Sequence, residues 1–415
     1  MLIARFFSIL ILLSGLLFTT ALLRYGEDFS IPLFWVSFLF SPIVIYIYIK
    51  GRVTIKRWML TPLYFSAFFI VLVGLSYGFR DFSSMVIIED RLLIDFKQLT
   101  ARVSLFIYMF IVLIFLNMYK GRFLMFQAKM TMLFFIIAFL YGYYQYFIYR
   151  YNFFDPFSFL RNSSSFYYYG GSGWLFSGRS HSFWAEPAFS MIPVLLAFYL
   201  SIKIFPKKYC FIFHVFLTGY VILTGSRLVW MAYLFMWLML ILMKVMTKKN
   251  IRNINYKKKI WVFIIAFLSS LLMPTLAMFF WDDKSSIGRS STIISGLMIF
   301  ADNLLGVGFN KFSTLQQYYY PEGIPFVSQN NVHNFIVSYM YQLGVFGLLW
   351  VTVFYIYFFN LKVGSLGAVS FFITLFVMIA LTNDQTYMPI FFISVAMVVS
   401  IERLKVERFL QGARH

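Results

Sequence analysis

Residues 228–259 have the sequence LVWMAYLFMWLMLILMKVMTKKNIRNINYKKK, in which an apolar run leads directly into a stretch rich in lysine and asparagine. A helix needs about 20 apolar residues to cross a lipid bilayer, and cytoplasmic loops of membrane proteins are enriched in Lys and Arg. The pattern therefore predicts a transmembrane helix that ends in a cytoplasmic loop. Similar apolar runs, most of them separated by short polar loops, recur along the chain and predict an all-α, polytopic membrane protein.

The amino-acid composition supports this fold class. Of the 415 residues, 61% are hydrophobic, 22% are aromatic and only 12% are charged, whereas soluble domains are about half apolar and one quarter charged. These values exclude a water-soluble fold. The single cysteine, Cys210, excludes an intramolecular disulfide and a cysteine metal site.

The apolar runs predict about twelve transmembrane spans, and residues 1–415 form a single transmembrane domain. The spans lie at about 4–23, 31–49, 58–79, 103–119, 130–149, 187–204, 209–224, 228–246, 260–280, 335–360, 366–382 and 386–401. The longest stretches outside them are two external loops, at 150–186 and 281–334. Within the second loop, an amphipathic stretch predicts a short helix that lies on the membrane surface.

The net charge of +20 follows from the positions of the basic residues. The loops between even- and odd-numbered spans hold most of the 35 Lys and Arg residues, whereas of the acidic residues only Glu402 and Glu407 lie on that side. By the positive-inside rule this side is cytoplasmic, so both termini are cytoplasmic and the two large loops face outward. Topology thus explains the charge, and the expected partner of the basic loops is membrane lipid rather than nucleic acid.

The sequence lacks the motifs that are typical of several classes of function. There is no GxxxxGK[ST] loop, no GxGxxG with a ribose-binding acid, and no HExxH or paired Cys/His spacing. The pair Asp282-Asp283 is interpreted as a helix-end cap rather than a metal site. The interiors of the spans are nearly free of ionisable groups, which argues against ion-coupled transport. No metal and no cofactor is therefore predicted.

Four short polar segments lie at the external ends of the predicted spans. The first, GRSHSFWAEPAF at 178–189, places Arg179, His181 and Glu186 just before the sixth span, with Pro187 in its first turn. A carboxylate near a helix N-terminus is stabilised by the helix dipole. Glu186 thus has a structural explanation as well as a catalytic one.

The second segment, LTGSRLVW at 223–230, places an arginine where the helix dipole disfavours a cation. Gly225 breaks the chain between two spans, Ser226 can cap the eighth span, and Arg227 lies in its first turn. Such a position is favourable when an anion lies between the guanidinium and the helix amides, which together form a phosphate-type site. The structural alternative is that Arg227 reaches to lipid phosphates.

The third segment, IGRSSTIISGLMIFADNLLGVGFNKF at 287–312, begins with Arg289, a candidate for a second anion contact, and ends with Gly306 and Gly308. Arg289 is expected to precede the amphipathic helix.

In the fourth segment, NNVHNFIVSYMYQLGVFGLLW at 330–350, His333 stands just before the tenth span and Asn334 can cap it. Gly344 and Gly347 are expected to allow close helix packing. A lone histidine is usually structural, but His is the side chain best suited to proton transfer near neutral pH. His333 is therefore a candidate for proton transfer.

Together the four segments resemble the superfamily of O-antigen polymerases and O-antigen ligases, bacterial membrane glycosyltransferases that use lipid-linked glycan donors at the periplasmic face. The resemblance covers about residues 175–350. It rests on R-x-x-x-F-x-x-E-P at 179–187, G-S-R at 225–227, Arg289 with G-x-G at 306–308, and H-N with G-x-x-G at 333–347.

The resemblance implies a metal-independent, GT-C-like transferase in the bacterial inner membrane, with its active site facing the periplasm. The donor is an oligosaccharide linked to undecaprenyl diphosphate, and a chain-length regulator protein is a candidate partner. The implied roles are diphosphate binding for Arg227, Arg289 and Arg179, catalysis for His333 and Glu186, and acceptor or glycan contact for His181, Asn334 and Tyr168. Ser180, His181 and Ser182 stand where a small residue such as glycine is expected.

Three functions remain open from the sequence. The external face is close to neutral, which favours a polymerase over a ligase that transfers polymer to phosphorylated lipid A core. The loop 161–178, which contains Tyr168, is rich in Ser, Gly and Tyr and suits either glycan stacking or an interfacial aromatic belt. A lipid-linked oligosaccharide flippase is the alternative from a different class, and it requires cations that line a central cavity.

Overall fold

The structure is a computed structural model, and its described residues form a helical bundle. It describes residues 2–16, 21–25, 29–32, 35, 38, 41–51, 53–79, 90–118, 123–147, 182, 187–246, 284–309, 311–321, 332, 334–359, 365–380 and 388–412. The predicted ninth span, at 260–280, lies outside these residues, as does the loop 150–186 apart from Ser182.

The bundle consists mainly of helices, with one small sheet near the N-terminus. In chain order the elements are α1 Leu2–Leu16, β1 Ala21–Tyr25, β2 Phe29–Pro32, α2 Ser41–Ile49, α3 Thr61–Gly78, α4 Asp90–Leu116, α5 Leu124–Phe147, α6 Met191–Ile204, α7 Lys207–Leu223, α8 Arg227–Met246, α9 Lys284–Asp302, α10 Phe335–Leu343, α11 Val345–Phe359, α12 Leu366–Ala380 and α13 Pro389–Gly412. Short turns of helix lie at Arg57–Met59, Pro187–Ser190, Phe312–Leu315 and Gln316–Tyr318.

The predicted helical membrane architecture is confirmed in its broad form. Among the described residues, four stretches are long and apolar enough to cross a bilayer, and shorter apolar helices accompany them. The four are Thr61–Gly78, Phe96–Leu116, Leu124–Phe147 and Arg227–Val245. Many of their large side chains are exposed on the outside of the bundle, as expected for helices that contact lipid.

The first predicted span, 4–23, is wrong at its C-terminal end. Helix α1 ends at Leu16, and the chain then forms a two-stranded antiparallel sheet in which Tyr25 pairs with Phe29. The sheet also takes up the start of the second predicted span, 31–49, whose helix begins at Ser41. Gly26 and the acidic residues after it are typical of a turn, which explains why a hairpin replaces a continuous helix at this point.

The tenth predicted span, 335–360, is also wrong, because residues 335–359 form two antiparallel helices rather than one. The Phe335 ring lies 5.8 Å from the Phe354 ring, although the two residues are 19 positions apart in the sequence. The carbonyl oxygen of Tyr339 lies directly against Gly347. Helix α10 therefore folds back along α11, and we call this pair the α10–α11 hairpin.

Glycine at the tip of the α10–α11 hairpin makes the reversal feasible. Gly344 has φ +64°, a left-handed conformation that glycine adopts without a Cβ penalty. Its neighbours are the backbone atoms of Leu304, Leu305 and Gly306, so a side chain has no room there. The prediction that Gly344 and Gly347 allow close packing is confirmed, although the packing is that of a hairpin.

Helix α13 anchors the bundle along its length. Near its start the ring of Phe392 lies 5.2 Å from the ring of Phe106 in α4, and farther on Ser400 accepts a hydrogen bond of 3.0 Å from Asn117. The two helices therefore run parallel. Helix α12 packs against α6 and α8 and also touches α10, so it connects the two regions that carry the predicted motifs.

A buried ion pair joins α6 to α13 at the ends that the sequence assigns to the cytoplasm. Lys203 Nζ lies 2.7 Å from Glu402 Oε1, and the side chains are 8% and 2% exposed. The same carboxylate oxygen accepts hydrogen bonds from Tyr199 at 2.8 Å and from Ser365 at 2.6 Å. The extra donors satisfy a charge that would otherwise be costly to bury.

Candidate functional site

The loop before α8 presents Arg227 as the sequence predicts. Gly225 has φ +56° and separates α7 from α8, and the carbonyl of Ser226 accepts the first helical hydrogen bond, from Trp230 N at 3.0 Å. Arg227 is the first residue of α8 and its side chain is exposed. A cation at this end of a helix is repelled by the dipole, so the position favours a bound anion beside it.

The described end of the first predicted motif lies next to the second motif. The turn Pro187–Ser190 packs against α8, and the Ser190 hydroxyl is 2.9 Å from the hydroxyl of Tyr220 in the last turn of α7. Pro187 begins this short turn as the sequence predicts, and α6 continues from it. Arg179, His181 and Glu186 themselves lie outside the described residues, as does Tyr168.

Ser182 fixes the backbone of the first motif in an unusual conformation. Its φ is +57°, which is uncommon for a residue other than glycine, and the residue is fully buried. The side chain of Gln145 in α5 accepts from Ser182 N at 2.7 Å and donates to Ser182 O at 3.0 Å. The Ser182 hydroxyl donates to the carbonyl of Ala138. The left-handed backbone explains why a glycine is expected in this segment.

Gln145→Leu is expected to lower the free energy of unfolding by about 2 kcal/mol or more, because it leaves the buried N–H and C=O of Ser182 without partners. Thermal unfolding of the purified protein in detergent measures the change. Gln317→Leu is the matched control, since Gln317 is exposed on a short helical turn. Equal losses in the two variants would contradict an anchoring role for Gln145.

Arg289 lies within the amphipathic helix, so the expectation that it precedes this helix is wrong. Helix α9 begins at Lys284, and Arg289 therefore falls in its second turn, where its side chain is exposed. The sequence does not reveal this start, because Lys284 and the two serines after it are not typical of an apolar helix face. Ser291, two residues farther on, is buried and accepts a hydrogen bond of 3.1 Å from Tyr320.

Helix α9 packs against α10 through a small core of its own. This core contains Ile293 and Ile299 from α9 and Val337 and Tyr341 from α10. Gly296 lies so close to Val337 that an added Cβ would be 2.7 Å from it. The third and fourth motifs are thus neighbours, while the placement of α9 on the membrane surface stays a prediction.

The two glycine motifs meet at a backbone junction, which we call the glycine junction. Val307 N donates to the carbonyl of Tyr341 and Gly308 N to that of Gln342, both at 2.9 Å, and Val345 N donates to the carbonyl of Leu304 at 2.8 Å. The first two bonds satisfy carbonyl groups that the end of α10 leaves open. G-x-G at 306–308 and G-x-x-G at 344–347 therefore act as one structural unit.

Asn334 caps α10, as the sequence predicts. Its Oδ1 accepts hydrogen bonds from Ile336 N and Val337 N, each at 3.0 Å, and its side chain is fully buried. The cap lies at the end of α10 away from the hairpin tip. His333 lies outside the described residues.

The matched part of the chain begins in α7 and ends in α11, so it contains both exposed arginines, the glycine junction and the Asn334 cap. Residues 212–352 match the O-antigen ligase family. The match covers about a third of the 415-residue chain and confirms, for this region, the predicted resemblance to the superfamily of O-antigen polymerases and ligases. The comparison with curated proteins gave no match.

Two polar residues that the sequence analysis missed lie before the O-antigen ligase match. Gln145 holds Ser182, and Arg102 in α4 donates to Gln342 Oε1 in α10 at 3.1 Å. Each lies within a stretch that is long and apolar enough to cross a bilayer, and a polar side chain in such a stretch is an indication of function in a membrane protein. The sequence does not show what either residue contacts, because the partners lie 37 and 240 positions away.

The structure groups the described parts of the four predicted motifs in pairs. The end of the first lies with the second beside α8, and the third lies with the fourth at the α10–α11 hairpin. Helix α12 touches both α8 and α10. Within the described residues, no three His, Cys, Asp or Glu side chains are grouped as a metal site. The chemistry available from the described part of the site is that of exposed guanidinium groups.

Proposed function

We propose that this protein is a polymerase of O-antigen or another surface polysaccharide. It transfers a glycan from a polyprenyl-diphosphate donor to the non-reducing end of a lipid-linked repeat unit. The observation that carries the proposal is Arg227, exposed at the first position of α8 inside the O-antigen ligase match. A guanidinium at the positive end of a helix suits a diphosphate ligand.

In the proposed reaction, an acceptor hydroxyl attacks the anomeric carbon of the donor sugar. A new glycosidic C–O bond forms as the bond between that carbon and the diphosphate oxygen breaks. His333 takes the hydroxyl proton, and the bond electrons leave with the polyprenyl diphosphate. Arg227 and Arg289 stabilise the charge that develops on this leaving group, with Arg179 as a further contact.

The remaining residues are assigned to the acceptor side. Glu186 orients or assists the proton transfer, and His181, Asn334 and Tyr168 contact the acceptor or the glycan.

The proposed setting is the bacterial inner membrane, with about twelve spans, cytoplasmic termini and a periplasmic active site. The near-neutral external face supports a polymerase, because the phosphorylated lipid A core used by a ligase calls for a strongly basic surface. Ligase is the second candidate, and the match of residues 212–352 to the O-antigen ligase family supports it.

The test is glycan transfer by purified protein in lipid vesicles, with a synthetic undecaprenyl-diphosphate repeat unit and no metal or nucleotide. We expect a ladder of products from the wild type and none from His333→Ala, while His415→Ala, the same change in the C-terminal tail, forms the ladder. Transfer only after lipid A core is added would establish a ligase instead. Translocation of the substrate without any transfer would establish a flippase.

A further inference from the structure

We propose that Arg102 is a positioning residue that holds the α10–α11 hairpin in the geometry needed for glycan transfer. The inference rests on the proposed function and adds to it a residue outside the O-antigen ligase match. Arg102 is the thirteenth residue of α4, and its side chain is half-buried. Its guanidinium group contacts three of the described residues, which belong to two separate segments.

The guanidinium group packs over two aromatic rings. Its central carbon lies 4.7 Å from the ring centre of Phe309 and 4.7 Å from that of Tyr339. A hydrogen bond of 3.1 Å from Nη2 to Gln342 Oε1 fixes its rotation. Planar guanidinium groups stack on aromatic faces in a way that ammonium groups do not.

These contacts connect three parts of the chain. Phe309 follows the glycine junction, and Tyr339 and Gln342 belong to α10. From the neighbouring helix α3, Ser76 donates a hydrogen bond of 2.8 Å to the carbonyl of Leu305. Arg102 is the charged member of this set, so it fixes the hairpin and the preceding loop against α4.

Burying part of the Arg102 guanidinium would lower the stability of the fold without benefit if the residue had only a packing role. Nη1 of Arg102 is buried without a hydrogen-bond partner, and no carboxylate among the described residues pairs with the guanidinium. Leu105 and Phe106 of the same helix line an adjacent small pocket that is otherwise aromatic. A leucine or methionine would fill such surroundings without the cost of burying a charge.

Helix α10 transmits the position of Arg102 to the proposed catalytic residue. The helix is nine residues long and buried on all sides, and Arg102 contacts its second half. At its other end the Asn334 cap follows His333 in the sequence. A short, fully packed helix moves as a rigid body, and a displacement of about 1 Å at a reacting group costs about 100-fold in rate.

The experiment compares Arg102→Lys and Arg102→Met with Lys97→Ala, which removes an exposed cation from the same helix. We expect both Arg102 variants to lower kcat by about 10-fold or more, with donor KM unchanged, and Lys97→Ala to behave as wild type. Hydrogen exchange of the amides in residues 334–343 should be faster in both Arg102 variants.

Four results would overturn the inference. Full activity in Arg102→Lys would mean that charge alone is sufficient, and a raised donor KM with normal kcat would make Arg102 a phosphate contact. Unchanged hydrogen exchange of the amides in residues 334–343 would exclude a positioning role for Arg102. A lower Tm with normal kcat per folded molecule would leave only a stabilising role. If the wild type transfers no glycan, the proposed function fails, while the exchange measurement still tests Arg102.

Discussion

Gly344→Ala is expected to destabilise the protein by about 3 kcal/mol or more. At φ +64° an alanine pays a conformational penalty, and its Cβ would overlap the carbonyl oxygen of Leu304. That neighbour is backbone and is itself hydrogen-bonded to Val345, so it cannot move away without opening the glycine junction. The turn that joins α10 to α11 would therefore be disrupted.

Thermal unfolding in detergent and in lipid measures this effect. Gly74→Ala is the matched control, because Gly74 lies within α3 and an added Cβ there has nothing within 4 Å. This variant should match the wild type or exceed it slightly, since alanine is the better helix former. Gly306→Ala, on the facing segment at φ +82°, should reproduce the loss. Equal unfolding temperatures for Gly344→Ala and Gly74→Ala would contradict the tightly packed, left-handed turn at Gly344.

Arg227→Ala is expected to lower kcat for glycan transfer by about 100-fold to 1000-fold. In the proposed reaction, negative charge on the diphosphate increases as the glycosidic bond to it breaks. An arginine that contacts the leaving group therefore stabilises the transition state more than the bound donor, so kcat falls more than KM rises. Arg227→Lys keeps the charge but loses the planar fork, and should recover part of the rate.

Initial rates over a range of donor concentrations separate the two parameters. Lys244→Ala is the matched control, because Lys244 is an exposed cation in the last turn of the same helix, at its opposite end. Its kcat and KM should equal those of the wild type. If Arg227→Ala kept its kcat and lost only membrane retention or stability, the arginine would be a lipid anchor and the diphosphate role would fail.

The sequence predicts those parts of the fold that local chemistry decides. The spans at 209–224 and 228–246 correspond to α7 and α8 within two residues. Gly225 separates α7 from α8, and this break depends only on the local backbone conformation of the glycine. The Asn334 cap is equally local, because its side chain bonds to amides two and three residues ahead.

The α10–α11 hairpin could not be predicted in the same way. Apolar residues continue through 335–360, and α10 is buried on every side, so no change in periodicity marks the reversal. What decides it is the carbonyl of Leu304, about 40 positions earlier in the chain. The roles of Arg102 and Gln145 escape prediction for the same reason, since their partners are set by tertiary packing.

The ion pair between Lys203 and Glu402 has a consequence for biosynthesis. The two residues are 199 positions apart, which corresponds to roughly 10–40 s of translation. During that interval α6 is already made, whereas Glu402 is not. A chain that stops before α13 lacks the carboxylate that offsets the burial of the Lys203 cation, and this difference distinguishes chains without α13 from chains that contain it. Helix α13 thus stabilises a helix that was made long before it.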